Sequence, residues 1–566
     1  MAERQSESGS SGSKVQAQDK KQDQIKAEKQ DQSGPSSSQA KAKQKSGNSK
    51  AGSRQNQGQR QSGSKQRGKA RPRQPGGRSQ ELPELTPELI WDCLHANSRG
   101  DATIYSILHQ GKVLRDKMAE ETLIWTGHHW QQDIMGEDRE LVEQVALTYL
   151  QRAKELAAQE TEAIAEGRKD EARDLQDTKK ELLKRAHRLR APSGVNACLD
   201  FAWHLPEPLS LSVRGDNLDQ NPLLLGCANG VLELDTGELR DGRPEDLIVK
   251  ASPVSMPDLE EPCPTWERFL WESLEDQEII NFLQRYFGYC LTGLTDEQQF
   301  LIMSGLGRNG KGIFIETVLR VMGAYAGPVQ AEMLLDQGRQ KSASGPTPDI
   351  MSLYGRRLVT ASESDEARRF SPSRIKWFTG GDTLVGRNPH DKHERHFRPT
   401  HKLVLLTNND PYAPADDFAF WSRLLKVDWP FQFVKNPRKS TEKLRDDHLM
   451  SKLEKELPGI LAWLDRGCIH WQLEGLNPPP SVREAATQYQ REQDIVQDFI
   501  DERCVELGEA VRTSGHDLYA AFSEWYQKYH RSKVPSITWF GRRMSRKFPK
   551  EKDGAVFYKG VGLAAE

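Results

Sequence analysis

The chain has 566 residues, 29% of them charged, and no apolar run approaches the ~20 residues that a membrane span needs. Its net charge of −2 hides an asymmetry, because residues 1–80 carry 18 Lys or Arg against 6 Asp or Glu, leaving −14 on residues 81–566. Seven scattered cysteines form no Cys-x-x-Cys pair, which argues against a structural zinc site and for a reducing compartment.

Residues 1–80 are Ser, Gly, Gln, Lys and Arg with almost no large apolar side chains. Such a composition cannot offset the entropy of ordering, so a disordered basic arm is expected, either a solubilising tether or a non-specific phosphate attractor. Its start, MAERQSESGS, has no signal-peptide core, and a soluble cytoplasmic protein is expected. Residues 81–265 read as a mixed α+β region. Thr86-Pro87 signals a capped helix start, and Thr122–Trp125 and Trp130–Ile134 form a strand pair across Thr126-Gly127-His128-His129. The two histidines lack a third ligand and are expected to face solvent rather than bind a metal. Glu140–Arg190 reads as a solvated helical hairpin, and Pro222–Leu239 as strands joined by an Asn-Gly turn. Trp266–Leu274 and Gln277–Leu291 are helices with core-type apolar stripes.

Gln299–Val321 then reads strand, glycine-rich loop, helix: QFLIMSGLGRNGKGIFIETVLRV. Gly305, Gly307, Arg308, Asn309, Gly310, Lys311, Gly312 and Ile313 supply a nest of backbone N–H groups at a helix N-terminus. Lys311 is spaced to reach the outer phosphates of a nucleotide. Gly312 stands where Ser or Thr usually ligates magnesium, so acids elsewhere must hold Mg²⁺. A second strand, Arg357–Ser362, runs into Glu363-Ser364-Asp365-Glu366. Glu363 is the first candidate for Mg²⁺ and for orienting the attacking water, assisted by Asp365 or Glu366. A third, Lys402–Thr407, ends at Asn408, whose amide can bond both phosphate and water. A fourth, Leu424–Trp429, follows Arg423, an arginine that could reach a neighbouring subunit's nucleotide. Between them lie Lys376 and Asp382, then a basic hairpin bearing Arg387, Lys392, His393, Arg395 and His396, suited to gripping a nucleic-acid backbone.

GLGRNGKG, RLVTASESDE, KWFTGGDTLVGR, KLVLLTNNDP and WSRLLKVDW together resemble the superfamily 3 helicases of the phage and plasmid primase–helicase type. WTGHHWQQD and NGVLELDTGEL are similar to the region before the motor in that family. The resemblance implies an α/β fold with an AAA+-like P-loop ATPase core over 266–475, hexameric rings around DNA, ATP hydrolysis and 3′-to-5′ movement on single strands. By position, Lys311 matches the phosphate lysine, Glu363 the magnesium-side acid, Asn408 the sensor and Arg423 the finger. Lys376 and Asp382 fall in the superfamily's own motif.

After the motor, Ser440–Leu473 reads as helical and Pro478-Pro479-Pro480 as a boundary. His516–His530, the basic helix Ser536–Phe548 and the strands of Val556–Leu563 resemble the family's winged-helix ending, here over 476–566. Arg542, Arg543, Arg546 and Lys547 are its candidate DNA contacts, with protein docking as the rival use. The expected protein is an ATP-driven replicative helicase of a phage, plasmid or integrated element, binding single-stranded and forked DNA, with priming left to a separate primase or initiator. An origin-melting initiator and a DNA-binding adaptor are the rivals.

Overall fold

Thr86 starts the first helix as its sequence implies. Its hydroxyl accepts the Leu89 N–H at 3.2 Å, and Pro87 opens the helix Pro87–His95. The structure, a computed structural model, describes residues 82–336, 345–363, 368–389, 391, 393–508, 510–530 and 533–564, with Glu363 as backbone only. The basic arm expected over 1–80, the acids Asp365 and Glu366, and Lys392 lie outside the described residues.

Helices Ser98–His109 and Pro192–Ala202 pack with a helical hairpin, Val142–Ala165 and Lys169–Leu189. Expected to be solvated, the hairpin instead buries Val145, Tyr149, Leu156, Leu182 and Leu189. Within that core Arg185 donates to Asp101 at 2.9 Å, and the Tyr149 hydroxyl donates to the same carboxylate oxygen at 3.0 Å. Removing one partner of such a buried pair strands a charge and costs roughly 3–5 kcal/mol, so some of the hairpin's charge is structural. Strands Val113–Asp116, Glu121–Trp125, Trp130–Gln132 and Ser212–Val213 make a small sheet, with Trp125 opposite Trp130. His128 and His129 at its turn are half-buried rather than exposed, and a His129 ring nitrogen meets the Thr126 hydroxyl at 3.0 Å. No cluster of metal-ligating residues occurs among the described residues.

The larger sheet is wholly parallel. Its strands are β1 (Phe300–Ser304), β2 (Ala326–Val329), β3 (Leu358–Glu363), β4 (Lys402–Thr407) and β5 (Leu424–Asp428), in the spatial order β5-β1-β4-β3-β2. All five residues of β1 are buried, as a parallel strand covered on both faces requires. On one face Pro264–Leu274, Gln277–Leu291, α1 (Lys311–Met322) and Leu457–Glu474 form a core that includes Trp266, Phe314 and Trp429. On the other, Pro372–Thr379 and Phe418–Trp421 bring Ile375 and Phe420 against Phe300 and Leu405. The first core reaches back to Leu225, Leu232 and Leu234, so the packing against the parallel sheet begins well before residue 266.

One departure follows β5. Glu442–Leu444, expected as helix, pairs in parallel with Gln432–Val434, and helix resumes only at Leu449. The C-terminal module then packs helices Ile495–Arg503, Gly515–Tyr529 and Ile537–Lys547 around Phe499, Phe522 and Phe540. A hairpin, Lys550–Asp553 with Ala555–Lys559, closes it. No described helix is long and apolar enough to cross a membrane, and all seven cysteines are free.

Candidate functional site

The glycine-rich loop is held by its backbone. At Gly305, φ +149°, a Cβ would sit 2.4 Å from Asn309 Nδ2 and 2.5 Å from the Trp429 carbonyl, so no side chain fits. The segment after β5 fastens the loop from outside: Trp429 N–H donates to Ser304 O at 2.8 Å, Phe433 N–H to Arg308 O at 2.7 Å, and Gln432 Nε2 to Leu306 O at 2.9 Å. Asn309 is buried with Nδ2 3.5 Å from the Trp429 carbonyl, so its side chain braces the loop and only its backbone faces a ligand. Gly310, φ +93°, turns the chain into α1, whose opening N–H groups on Lys311, Gly312 and Ile313 have no intrahelical acceptor. Those donors and the positive end of the helix dipole make an anion seat.

Lys311 is 5% exposed, and its Nζ donates to Gly305 O and lies 3.5 Å from Asn408 Oδ1. Burial pushes the ammonium down to about 8, against the opposing pull of Asp410 and Asp428. Asn408 Oδ1 also accepts the Gly307 N–H at 3.4 Å, so the loop lysine, a loop N–H and the β4 amide converge on one atom. Strand register aligns Glu363 with Thr407, Thr407 with Ser304, and Ser304 with Asp428 along the carboxyl edge of the sheet. That edge is where open α/β sheets bind ligands. A Cβ added at Gly312 meets nothing within 4 Å, leaving open space at the mouth of α1.

A charged cluster unforeseen in the sequence supports this edge. Ser304 Oγ donates to Asp410 Oδ1 at 3.1 Å, while Lys426 Nζ lies 2.9 Å from Asp410 and 3.0 Å from Asp428. Burial lowers the Lys426 ammonium, but the two carboxylates outweigh it and hold it above its ordinary range. The available signal was positional: both acids follow or end strands whose neighbours carry the loop.

Arg423 lies apart from all of this. Phe300 N–H donates to its carbonyl at 2.8 Å, which puts it at the amino edge of the sheet, about 17 Å of strand away from Asp428 at roughly 3.3 Å per residue. Its guanidinium donates to Ala419 O at 2.6 Å and to Gln298 Oε1 at 3.4 Å, and its buried Nε has no partner. It cannot serve the loop of its own chain.

The expected DNA contacts divide. Lys376 Nζ pairs with Asp417 at 3.0 Å rather than standing free. The hairpin forms as Leu384–Gly386 against Arg395–Phe397, with His393 and His396 exposed. Arg395 lies over the Tyr354 ring at 5.6 Å, and the Arg387 backbone exchanges hydrogen bonds with Thr347 at 2.9 and 3.1 Å. On the basic C-terminal helix, Arg543 and Arg546 pair with Asp416, in the segment after β4, at 2.6 and 3.1 Å, and Lys547 pairs with Asp494 at 2.7 Å. The face expected to read DNA is thus largely a docking face, and of the four basic residues Arg542 is the one without an ion pair among the described residues.

Comparison with known proteins places these features in context. The family described as "D5 N terminal like" matches residues 106–275, the stretch that leads into the parallel sheet. "Putative helicase L207/L206" of Acanthamoeba polyphaga mimivirus is 27% identical over 415 residues, 70% of this chain and 42% of that protein. "Putative primase C962R" of African swine fever virus (isolate Warthog/Namibia/Wart80/1980) is 24% identical over 327 residues, 55% of this chain and 34% of that protein. The chain spans less than half the length of either relative. The apo structure of the NrS-1 C terminal region (305-718) aligns over 84% of this chain and 100% of that one at 10% identity, with a TM-score of 0.43, too low to weigh in the argument. The matched D5-type region and the viral relatives named as helicases and primases support a likeness to the superfamily 3 primase–helicase type.

Proposed function

We propose that the chain is an ATP-driven replicative DNA helicase of a virus or other mobile element, built on an AAA+-like P-loop core with a C-terminal winged helix. It works as a hexameric ring moving 3′-to-5′ on single-stranded DNA. The observation that carries this reading is the meeting of Lys311 with Asn408 at 3.5 Å in the mouth of the glycine-rich loop. Relatives named as helicases and primases support it.

The loop N–H groups take the phosphates of ATP. Lys311 then leaves the Gly305 carbonyl and Asn408 for the outer phosphates, where its charge is stabilising. That exchange frees Asn408 Oδ1 to orient a water in line with the γ-phosphorus. Water oxygen bonds to phosphorus as the bond to the β-phosphate oxygen breaks; ADP carries away the electron pair, and the water's proton passes to an oxygen of the phosphate that is released. Mg²⁺, for which Glu363 and Asp365 are the sequence candidates, supplies charge neutralisation on the phosphate oxygens. Arg423 stabilises the transferring phosphoryl group of a neighbouring subunit, since its place at the amino edge bars it from its own. The hairpin with Arg387, Lys392, His393 and Arg395 holds the strand by its backbone, and Lys376 steadies the hairpin's base through Asp417.

The test is Lys311→Ala in a single-strand-stimulated ATPase assay, with unwinding of a forked duplex as the second readout. Both activities are expected to vanish while oligonucleotide binding persists. Retained turnover would remove the phosphate-loop assignment.

A further inference from the structure

A second cavity, of about 660 Å³, opens in the C-terminal module between the start of helix Gly515–Tyr529, helix Ile537–Lys547 and the closing hairpin. Its basic lining residues are His516, Arg542, Arg546 and Lys550, and among the described residues no Asp or Glu lines it. Strand alternation explains the one-sided charge. Lys550 faces the cavity, while its neighbours Glu551 and Asp553 fall on the opposite face and meet Arg512 at 3.6 and 3.2 Å. Arg546 is shared with Asp416, but Arg542 and Lys550, on separate elements, are exposed and have no ion pair among the described residues.

Part of the lining is apolar. Ile537, 48% exposed in the first turn of its helix, lies with Ala555 and Val556 along the cavity, beside the hydroxyls of Ser514, Thr538 and Ser545. Cations and apolar side chains lining one cavity suit an anion that carries a flat apolar group. The volume lies within the 300–1,000 Å³ range of small-molecule pockets. A phosphate of stacked duplex brings no free base to fill such a space, whereas an unpaired nucleotide brings both parts.

We infer that this cavity receives an unstacked nucleotide of single-stranded DNA, its phosphate between Arg542 and Lys550 and its base against Ile537 and Val556. The inference rests on the DNA-helicase reading and relocates the module's DNA contact. The contact passes from the helix face spent on Asp416 and Asp494 to the pocket behind it.

The test uses the full chain, a fluorescent oligothymidylate and anisotropy at several salt concentrations. Arg542→Ala combined with Lys550→Ala is expected to weaken binding about tenfold at low salt. The same pair should shrink the salt slope by about one, at ~0.7 per single-strand phosphate contact. Ile537→Ser is expected to weaken binding with the slope unchanged, and blunt duplex binding should not respond to any of the three. Both cations are exposed, and binding of an ATP analogue reports that the variants remain folded. Unchanged single-strand affinity and slope in the double variant would overturn the cavity alone; a wild-type chain that ignores single strands would overturn the helicase reading with it. Displacement of the oligonucleotide by polyglutamate from wild type but not from the double variant would make the partner an acidic polypeptide and also overturn the inference.

Discussion

Raising the pH should weaken nucleotide binding through Lys311. Burial brings that ammonium to about 8, so close to nine-tenths of it is charged at pH 7 and about one-tenth at pH 9. Only the charged form attracts phosphate, so affinity is lost as pH rises through the lysine's own titration. Phosphate, with its second pKa near 6, stays ionised throughout. Between pH 7 and pH 9.5 the apparent Kd for a non-hydrolysable ATP analogue should rise about thirtyfold, roughly 2 kcal/mol, flat at first and then tenfold per unit. Isothermal titration across that range measures it. Lys311→Arg is the control, because a guanidinium keeps its charge and its curve should be flat whatever its absolute affinity. Asp410→Asn, which removes one carboxylate that favours the charged lysine, should move the break to lower pH. A flat wild-type curve, or an equal slope in Lys311→Arg, would refute the assignment.

Three further outcomes follow from the same coordinates. Gly312→Ser places a hydroxyl in the open space at the mouth of α1, and a Mg²⁺ titration of ATPase activity should show half-saturation at several-fold lower metal. Asp465 is fully buried with neither carboxylate oxygen partnered, and burial raises it to about 7. The folded chain therefore binds the extra proton between about pH 4 and 7, and stability falls as pH rises through that window. Asp465→Asn should melt higher than wild type at pH 8, by up to about 4 kcal/mol, with the gap closing toward pH 5. Asp416→Ala should cost about 1 kcal/mol or less per lost pair, yet hydrogen exchange should quicken in both 411–418 and 537–547.

What the sequence disclosed was local. Lys402–Thr407 is the same strand in both readings because an uninterrupted apolar run between polar ends leaves a buried strand little alternative. The loop was legible because its glycines and Lys311 sit at fixed spacing between a strand and a helix. β2 escaped notice, since Gly327 and Pro328 argue against a strand, but β2 is at the sheet edge, where proline is tolerated. Glu442–Leu444 escaped because its partner strand, not its own periodicity, makes it extended. The basic C-terminal helix was visible as basic, but its partner Asp416 lies more than a hundred residues away. Nothing in a helix's own pattern says whether its cations are already taken.

The stretch from Asn408 to Arg423 is where that distant pairing acquires meaning. It begins at the atom that Lys311 and Gly307 share and ends at Arg423. Along it, the Tyr489 hydroxyl donates to Pro411 O, Gln490 Nε2 to Ala415 O at 2.8 Å, and Ala413 N–H to Gln493 Oε1 at 3.3 Å. Its adjacent carboxylates, Asp416 and Asp417, take Arg543 with Arg546, and Lys376. A segment gripped this way has no slack in which a displacement of Asn408 could be absorbed, because packed contacts shift together or break. An anion that draws Lys311 from Asn408 would therefore act on the same short segment that carries Asp416, Asp417 and Arg423. Spending the helix's cations on Asp416 ties the C-terminal module to the segment that begins at Asn408.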